Sequence, residues 1–233
     1  MTAARWTSLG AVAAAFALLL FPVLRPWPDE SVPSLALAAE FASDRWVLAH
    51  LCGIAGLWLL APTFLGLRAL LGGRAAPGAR AAGAAVVTAW AGTVLCTLYY
   101  GAEAFGIHTI ARASLRAGNP SLLADVDALR DQPAALALFG VGLALVAASG
   151  VLVAVAMWRG GTVPRWSGVP LAASLVLYLP QFFGGPGLRV AHGLLACLGL
   201  VLVASAAARL PAGRTTRATG GAPGTTTAGH PEE

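Results

Sequence analysis

Three ionisable side chains stand inside or at the edge of otherwise uncharged apolar stretches: His50, Glu103 and His192. Gln181 adds an amide near the end of a fourth stretch, and His108 follows just beyond Glu103. Placing an ionisable group in a bilayer costs about 3 kcal/mol on insertion scales, so each such residue is a functional candidate. Two neutral imidazoles and a carboxylate would suit zinc or a similar divalent ion, making His50, His192 and Glu103 a candidate metal set. Two histidines from different helices at one height would also suit a b-type haem. Without a metal or haem, His50, Glu103, Gln181 and His192 would line a polar cavity for a small ligand or ion. They could equally satisfy one another at the interface and do nothing more.

No motif narrows this further. There is no HxxxH or HExxH pair to fix two ligands on one helix, no GxSxG serine and no phosphate-cradling glycine loop. Cys52 is two residues from His50, so on a helix the two side chains point about 200° apart. Cys52, Cys96 and Cys197 form no CxxC pair and read as small buried apolar residues.

The elements that must position these residues follow from charge. Six stretches have no charged residue for 19 or more positions: 6–24, 46–67, 81–102, 132–158, 166–188 and 190–208. About 18 such residues suffice to cross the ~30 Å hydrocarbon layer as a helix. The chain is 58 % hydrophobic and 11 % charged, with mean hydropathy +0.75, against about 25 % charged for a soluble domain. The pattern predicts an all-α, polytopic membrane bundle of six transmembrane helices over about 6–24, 46–70, 81–103, 133–158, 166–184 and 188–209. Residues 1–210 then form one domain. The tail 211–233, rich in Gly, Thr and Pro, reads as disordered and cytoplasmic.

Arginine orients the bundle. All 15 basic residues are arginine, and short basic segments without acids lie at 72–80 and 159–165. The positive-inside rule then gives an N-in/C-in topology. It puts Asp29, Glu30, Glu40, Asp44, Glu103, Asp125, Asp127 and Asp131 outside. The first span lacks a small-residue cleavage pattern and reads as a retained helix. The formal charge of +5 is explained by membrane topology, so no nucleic-acid partner is expected. The expected partners are the lipid bilayer and a small molecule or ion. The all-Arg, Ala- and Gly-rich composition points to a multi-pass protein of a bacterial plasma membrane.

Heights follow from the 1.5 Å helical rise. His50 lies roughly 27 Å above Arg68 and His192 roughly 25 Å above Arg209. Glu103 lies roughly 34 Å above Arg80. All three therefore belong to the outer end. Small-residue stripes, Ala85, Gly92 and Cys96 below Glu103 and Ala196, Gly199, Val203 and Ala206 below His192, would turn both groups into the bundle. Trp6, Trp27, Trp46, Trp158 and Trp166 sit near span ends, as an aromatic belt would place them. Outside the spans, a short helix is expected around Ser34–Ala42. Asn119 and Pro120 would start a second, with Leu122, Leu123, Val126 and Leu129 on one face. That amphipathic outer helix would lie on the membrane surface or fold over the bundle as a lid.

Overall fold

The structure is a computed structural model and describes residues 2–72, 77–161 and 163–210. The expected tail from Pro211 lies outside the described residues. The described residues are mostly helical, with no strand among them. Five helices are long and apolar enough to cross a membrane: Ala3–Leu24, Asp44–Leu70, Ala79–Ala117, Pro133–Gly160 and Pro186–Arg209.

Helix α1 is Ala3–Leu24. A short α2, Leu35–Phe41, follows, with the Ser34 hydroxyl accepting from the Leu37 N–H as its N-cap. The second long helix is α3, Asp44–Trp58, continued as α4, Leu60–Leu70, across a break at Leu59. Pro62 accounts for the break, because its ring excludes the carbonyl of residue 58 from the helical ladder. The third is α5, Ala79–Gly101, then a π-helical turn at Ala102–Ile107, then α6, His108–Ala117. A short helix α7, Ala124–Arg130, leads into α8, Pro133–Gly160. The chain closes with α9, Val169–Val176, and α10, Pro186–Arg209.

Antiparallel packing joins these in chain order, α1 against α3–α4, α4 against α5, α5 against α8, with α10 returning along α1. Small residues permit the close approaches, as the stripes predicted. A Cβ added at Gly92 would meet the Gly142 carbonyl oxygen at 2.7 Å, and one at Gly199 would meet the Leu171 nitrogen at 2.5 Å. Gly199→Ala is therefore expected to lower stability by about 1–3 kcal/mol through overpacking. Thermal unfolding of the detergent-solubilised protein would read this, and an unchanged midpoint would mean that α9 and α10 are less tightly joined.

The expected straight span over 166–184 is not formed. A 3₁₀ turn at Arg165–Gly168 precedes α9, which ends after eight residues at Val176, and a second 3₁₀ turn covers Pro180–Phe183. The cause is Pro180, four residues beyond Val176, which removes a donor and clashes with that carbonyl. The broken segment still runs the length of the bundle. Gly168 packs on Ala154 and Met157 at one end, and Phe182 meets Phe139 at the other, with ring centroids 5.7 Å apart.

The third long helix overruns its expected end by more than a dozen residues. At 39 residues it is roughly 58 Å long, nearly twice the hydrocarbon thickness. Its end is a Schellman-like stop at Gly118, where φ is 61°. The projecting part builds a small cap with its own apolar cluster of Leu37, Phe41, Trp46, Ile107, Leu123 and Val126. The predicted Asn119 cap is present, its side chain accepting from the Ser121 N–H. The apolar face of 120–130 is covered by protein rather than by lipid, because Leu123 and Val126 pack against α2 and α6. The surface-lying helix is thus corrected to part of a cap.

Charge divides the bundle end to end. Arg68 lies beside Gly83, the Gly78 turn packs against Ala156 and Arg159, and Arg5 shares a groove with Ala208. That end carries arginine and, among the described residues, no acid. All eight described acids lie at the end bearing the cap.

Candidate functional site

At the cap end, a cavity of about 510 Å³ opens between α1, α3, α5, α8 and the broken segment. Its polar walls are Arg25, Glu30, His50, Glu103, Arg130 and Arg189. Its apolar walls include Phe21, Trp27, Tyr99, Tyr100, Leu136, Phe139 and Phe182. The break at Pro180 makes this lining available. Non-helical backbone at membrane depth is tolerated where it is buried in protein or lines a cavity, and Leu179, Phe182 and Gly184 here do the latter.

The carboxylate of Glu103 is the centre of a chain of charges. Arg130 donates to it twice, from Nε to Oε1 at 2.7 Å and from Nη2 to Oε2 at 3.3 Å. The same guanidinium donates from Nη1 to Glu30 Oε2 at 2.7 Å. Glu30 in turn accepts from Arg25 Nη2 at 3.2 Å. A fork held by two carboxylates has both geometric and charge complementarity. Burial disfavours the charge on Arg130, but Glu103 and Glu30 outweigh it and hold its pKa above the ordinary arginine value. Arg25 is more deeply buried, and burial lowers its pKa despite Glu30. Its guanidinium lies between two indole rings, 4.3 Å from the Trp27 centroid and 4.7 Å from that of Trp46.

His50 completes the chain. Its Nδ1 lies 2.7 Å from the Trp46 carbonyl, which can only accept, so Nδ1 carries a proton. Its Nε2 faces Glu103 Oε2 at 3.6 Å. The ring is wedged between Trp46 and Phe21, with centroids at 4.4 and 5.4 Å. Trp46 also ties the π turn to α3, its indole N–H donating to the Glu103 carbonyl at 2.8 Å. A buried carbonyl needs a donor, and the indole supplies one. Trp46 is therefore fully buried, which corrects its expected place in an aromatic belt. Trp6, Trp158 and Trp166 are exposed, consistent with one.

The predicted residues divide into two groups. His50 and Glu103 come together in the large cavity. Gln181 and His192 line a second, much smaller pocket beside it, with Phe21 and Trp27 shared between the two. His192 Nε2 donates to the Ser174 carbonyl at 2.8 Å, and its ring stands edge-on to Tyr178 at 5.2 Å. Ser174 lies in the last turn of α9, where carbonyls have lost their helical donors. His192 thus caps the helix that Pro180 terminates. The two imidazoles do not present nitrogens to one cavity, as an axial haem pair would need. Among the described residues, no group of three or more His, Cys, Asp or Glu is gathered closely enough to hold a metal ion. His108 is placed in the cap, beside the Phe41 carbonyl at 3.3 Å.

Four further charged residues belong to the site: Arg25, Glu30, Arg130 and Arg189. Arg130 and Glu30 lie 100 positions apart and meet only through the cap, which no periodicity in the chain predicts. Arg25 reads from the sequence as a boundary marker. By contrast Arg45, which flanks His50 in the sequence, is exposed and outside the cavity. No protein-family model, curated protein or solved structure matches this chain.

Tyr100 on the cavity wall is held from behind by a hydroxyl pair. Tyr100 and Tyr178 are buried and their oxygens lie 3.0 Å apart, joining α5 to the broken segment. Phe21 packs edge-on to Tyr100 at 5.3 Å. The arrangement offers a pre-formed, aromatic-walled chamber with fixed donors at one end, the composition typical of a small-molecule site.

Proposed function

We propose that this protein binds a small ligand in the cap-end cavity, as a binding or transport protein embedded in a bacterial plasma membrane. Five long apolar helices support the membrane setting. The broken segment 165–183 is read as a sixth crossing, since it joins the end where α8 finishes to the end where α10 begins. The arginine-only end then faces the cytoplasm and the acid-bearing cap faces outward, giving N-in/C-in by the positive-inside rule. The partners are the bilayer and the ligand.

The observation that carries the reading is the convergence of Arg25, Glu30, Arg130, Glu103 and His50 on one open cavity. A charge chain serving packing alone gains most when sealed, because water weakens each pair. Here it forms the wall of a chamber of about 510 Å³, within the 300–1,000 Å³ range usual for small-molecule sites.

Leu136 is half-exposed on the cavity wall and makes no polar contact. Leu136→Trp would fill part of the chamber without touching the charge chain. Ligand affinity is expected to fall by about tenfold or more, the order of one lost good contact, while the unfolding temperature stays near wild type. Unchanged affinity in Leu136→Trp would remove the cavity as the site.

A further inference from the structure

The charge balance inside the cavity points to the class of ligand. Three arginines and two glutamates line it. Arg130 spends Nε, Nη1 and Nη2 on the two carboxylates. Arg25 donates from Nη2 to Glu30 Oε1. Both acids are thus engaged. Arg189 is different. It donates from Nη2 to the Phe182 carbonyl at 2.6 Å and from Nε to the Gly184 carbonyl at 3.1 Å. Both acceptors are neutral, and among the described residues no carboxylate lies within ion-pair distance of Arg189. A half-buried guanidinium therefore faces the chamber with no carboxylate in contact among the described residues.

The surroundings reinforce that sign. Arg189 sits in the first turn of α10, whose N-terminus opens into the cavity through Gly184 and Pro186. Gly185 supplies no side-chain cap, and the positive end of the dipole of this 24-residue helix lies at the cavity. Arg189 also stacks on Trp27 at 4.9 Å and Phe182 at 5.5 Å, which fixes its fork. Arg25 stands 4.3 Å from the centroid of the same indole. Below these donors the walls are Phe21, Tyr100 and Phe139.

We infer that the cavity takes an amphipathic organic anion, an oxyacid headgroup held by Arg189 with Arg25 behind it and an apolar body against the aromatic walls. This rests on the binding reading above. A carboxylate or phosphate presents two oxygens to the guanidinium fork, which is the match arginine makes best. The same chemistry could arrive as the headgroup of an outer-leaflet lipid or as a water-borne acid.

The test uses full-length protein in lipid nanodiscs, with 2-naphthoate, its neutral amide and 2-naphthylmethylammonium as probes in isothermal titration against empty discs. The naphthoate is expected to bind and the other two to bind at least about tenfold more weakly, the effect of one charge-assisted contact. Arg189→Gln should lose naphthoate binding by a similar factor, and Arg189→Lys should keep most of it, which separates lost charge from a disturbed 180–185 turn. Phosphatidylglycerol in place of phosphatidylcholine should compete with naphthoate if the natural occupant is a lipid, and leave it unchanged if the occupant is water-borne. Equal or tighter binding of the ammonium, wild-type affinity in Arg189→Gln, or no binding by any probe would overturn the anion assignment. Binding that survives Leu136→Trp undiminished would instead overturn the cavity reading on which it rests.

Discussion

Glu103→Ala is expected to lower the stability of the detergent-solubilised protein by about 3 kcal/mol, the lower part of the range for breaking a buried ion pair. The physical reason is what the change leaves behind. Arg130 loses the carboxylate that takes two of its donors, and His50 Nε2 loses the only charged group facing it. Glu30 still holds Arg130, which keeps the loss from the upper end of that range. Glu103→Gln should cost less, because an amide oxygen can accept one of the two arginine bonds. Asp125, exposed on the cap, provides the contrast: Asp125→Asn should change stability by no more than about 0.5 kcal/mol. The double variant Glu103→Ala/Arg130→Ala should be less unstable than the sum of the two single variants, since each single change strands the other's charge. Additive losses would mean that the pair is solvated and contributes little.

Trp46→Ala should be more severe, about 3–5 kcal/mol, the range for truncating a large buried aromatic. Trp46 is fully buried and belongs at once to the cap and the cavity wall. It stacks on Phe41 at 4.6 Å, packs on His50, and lies over Arg25. Trp46→Phe isolates one part of this. It keeps most of the packing but removes the N–H that satisfies the Glu103 carbonyl, which should cost about 1–3 kcal/mol. Limited proteolysis should then cut within 102–130 at lower protease concentration than in wild type. Equal resistance would mean that the π turn finds another donor and that the indole bond does not anchor the cap.

Much of this architecture was legible in the chain. Long uncharged runs mark five helices because hydrocarbon excludes charge, whatever the tertiary packing. The stripes below Glu103 and His192 mark buried faces because close helix contact needs small residues. Two departures had visible causes. Pro180 lies inside the expected fifth span, and proline ends a helix whatever the hydropathy around it. Apolarity in the third long helix stops near Glu103, yet the helix runs on to Ala117. Its stop signals, Gly118 and Asn119, come later, because a helix ends where its carbonyls are capped rather than where the membrane does.

The site was less legible than the fold. His50 and Glu103 stood out because an ionisable group in an apolar run has few explanations. Their partners did not stand out, since Glu30 and Arg130 lie in polar segments where charge is ordinary. Only the folding of α2 and α7 onto the projecting helix brings them to one place. His192 shows the opposite limit. The sequence marks it as unusual, but its role as a donor to the Ser174 carbonyl depends on where α9 ends, on the helix packed directly against its own.

The central claim is that a ligand occupies the cap-end cavity from the outer side of the membrane. The most direct measurement places a cysteine at Leu136 after Cys52, Cys96 and Cys197 have been changed to alanine, and labels intact cells with a membrane-impermeant thiol reagent. Leu136→Cys should be labelled without permeabilisation, and 2-naphthoate should slow the labelling. Labelling only after permeabilisation would contradict the orientation, and a labelling rate unaffected by naphthoate would contradict occupancy of the cavity.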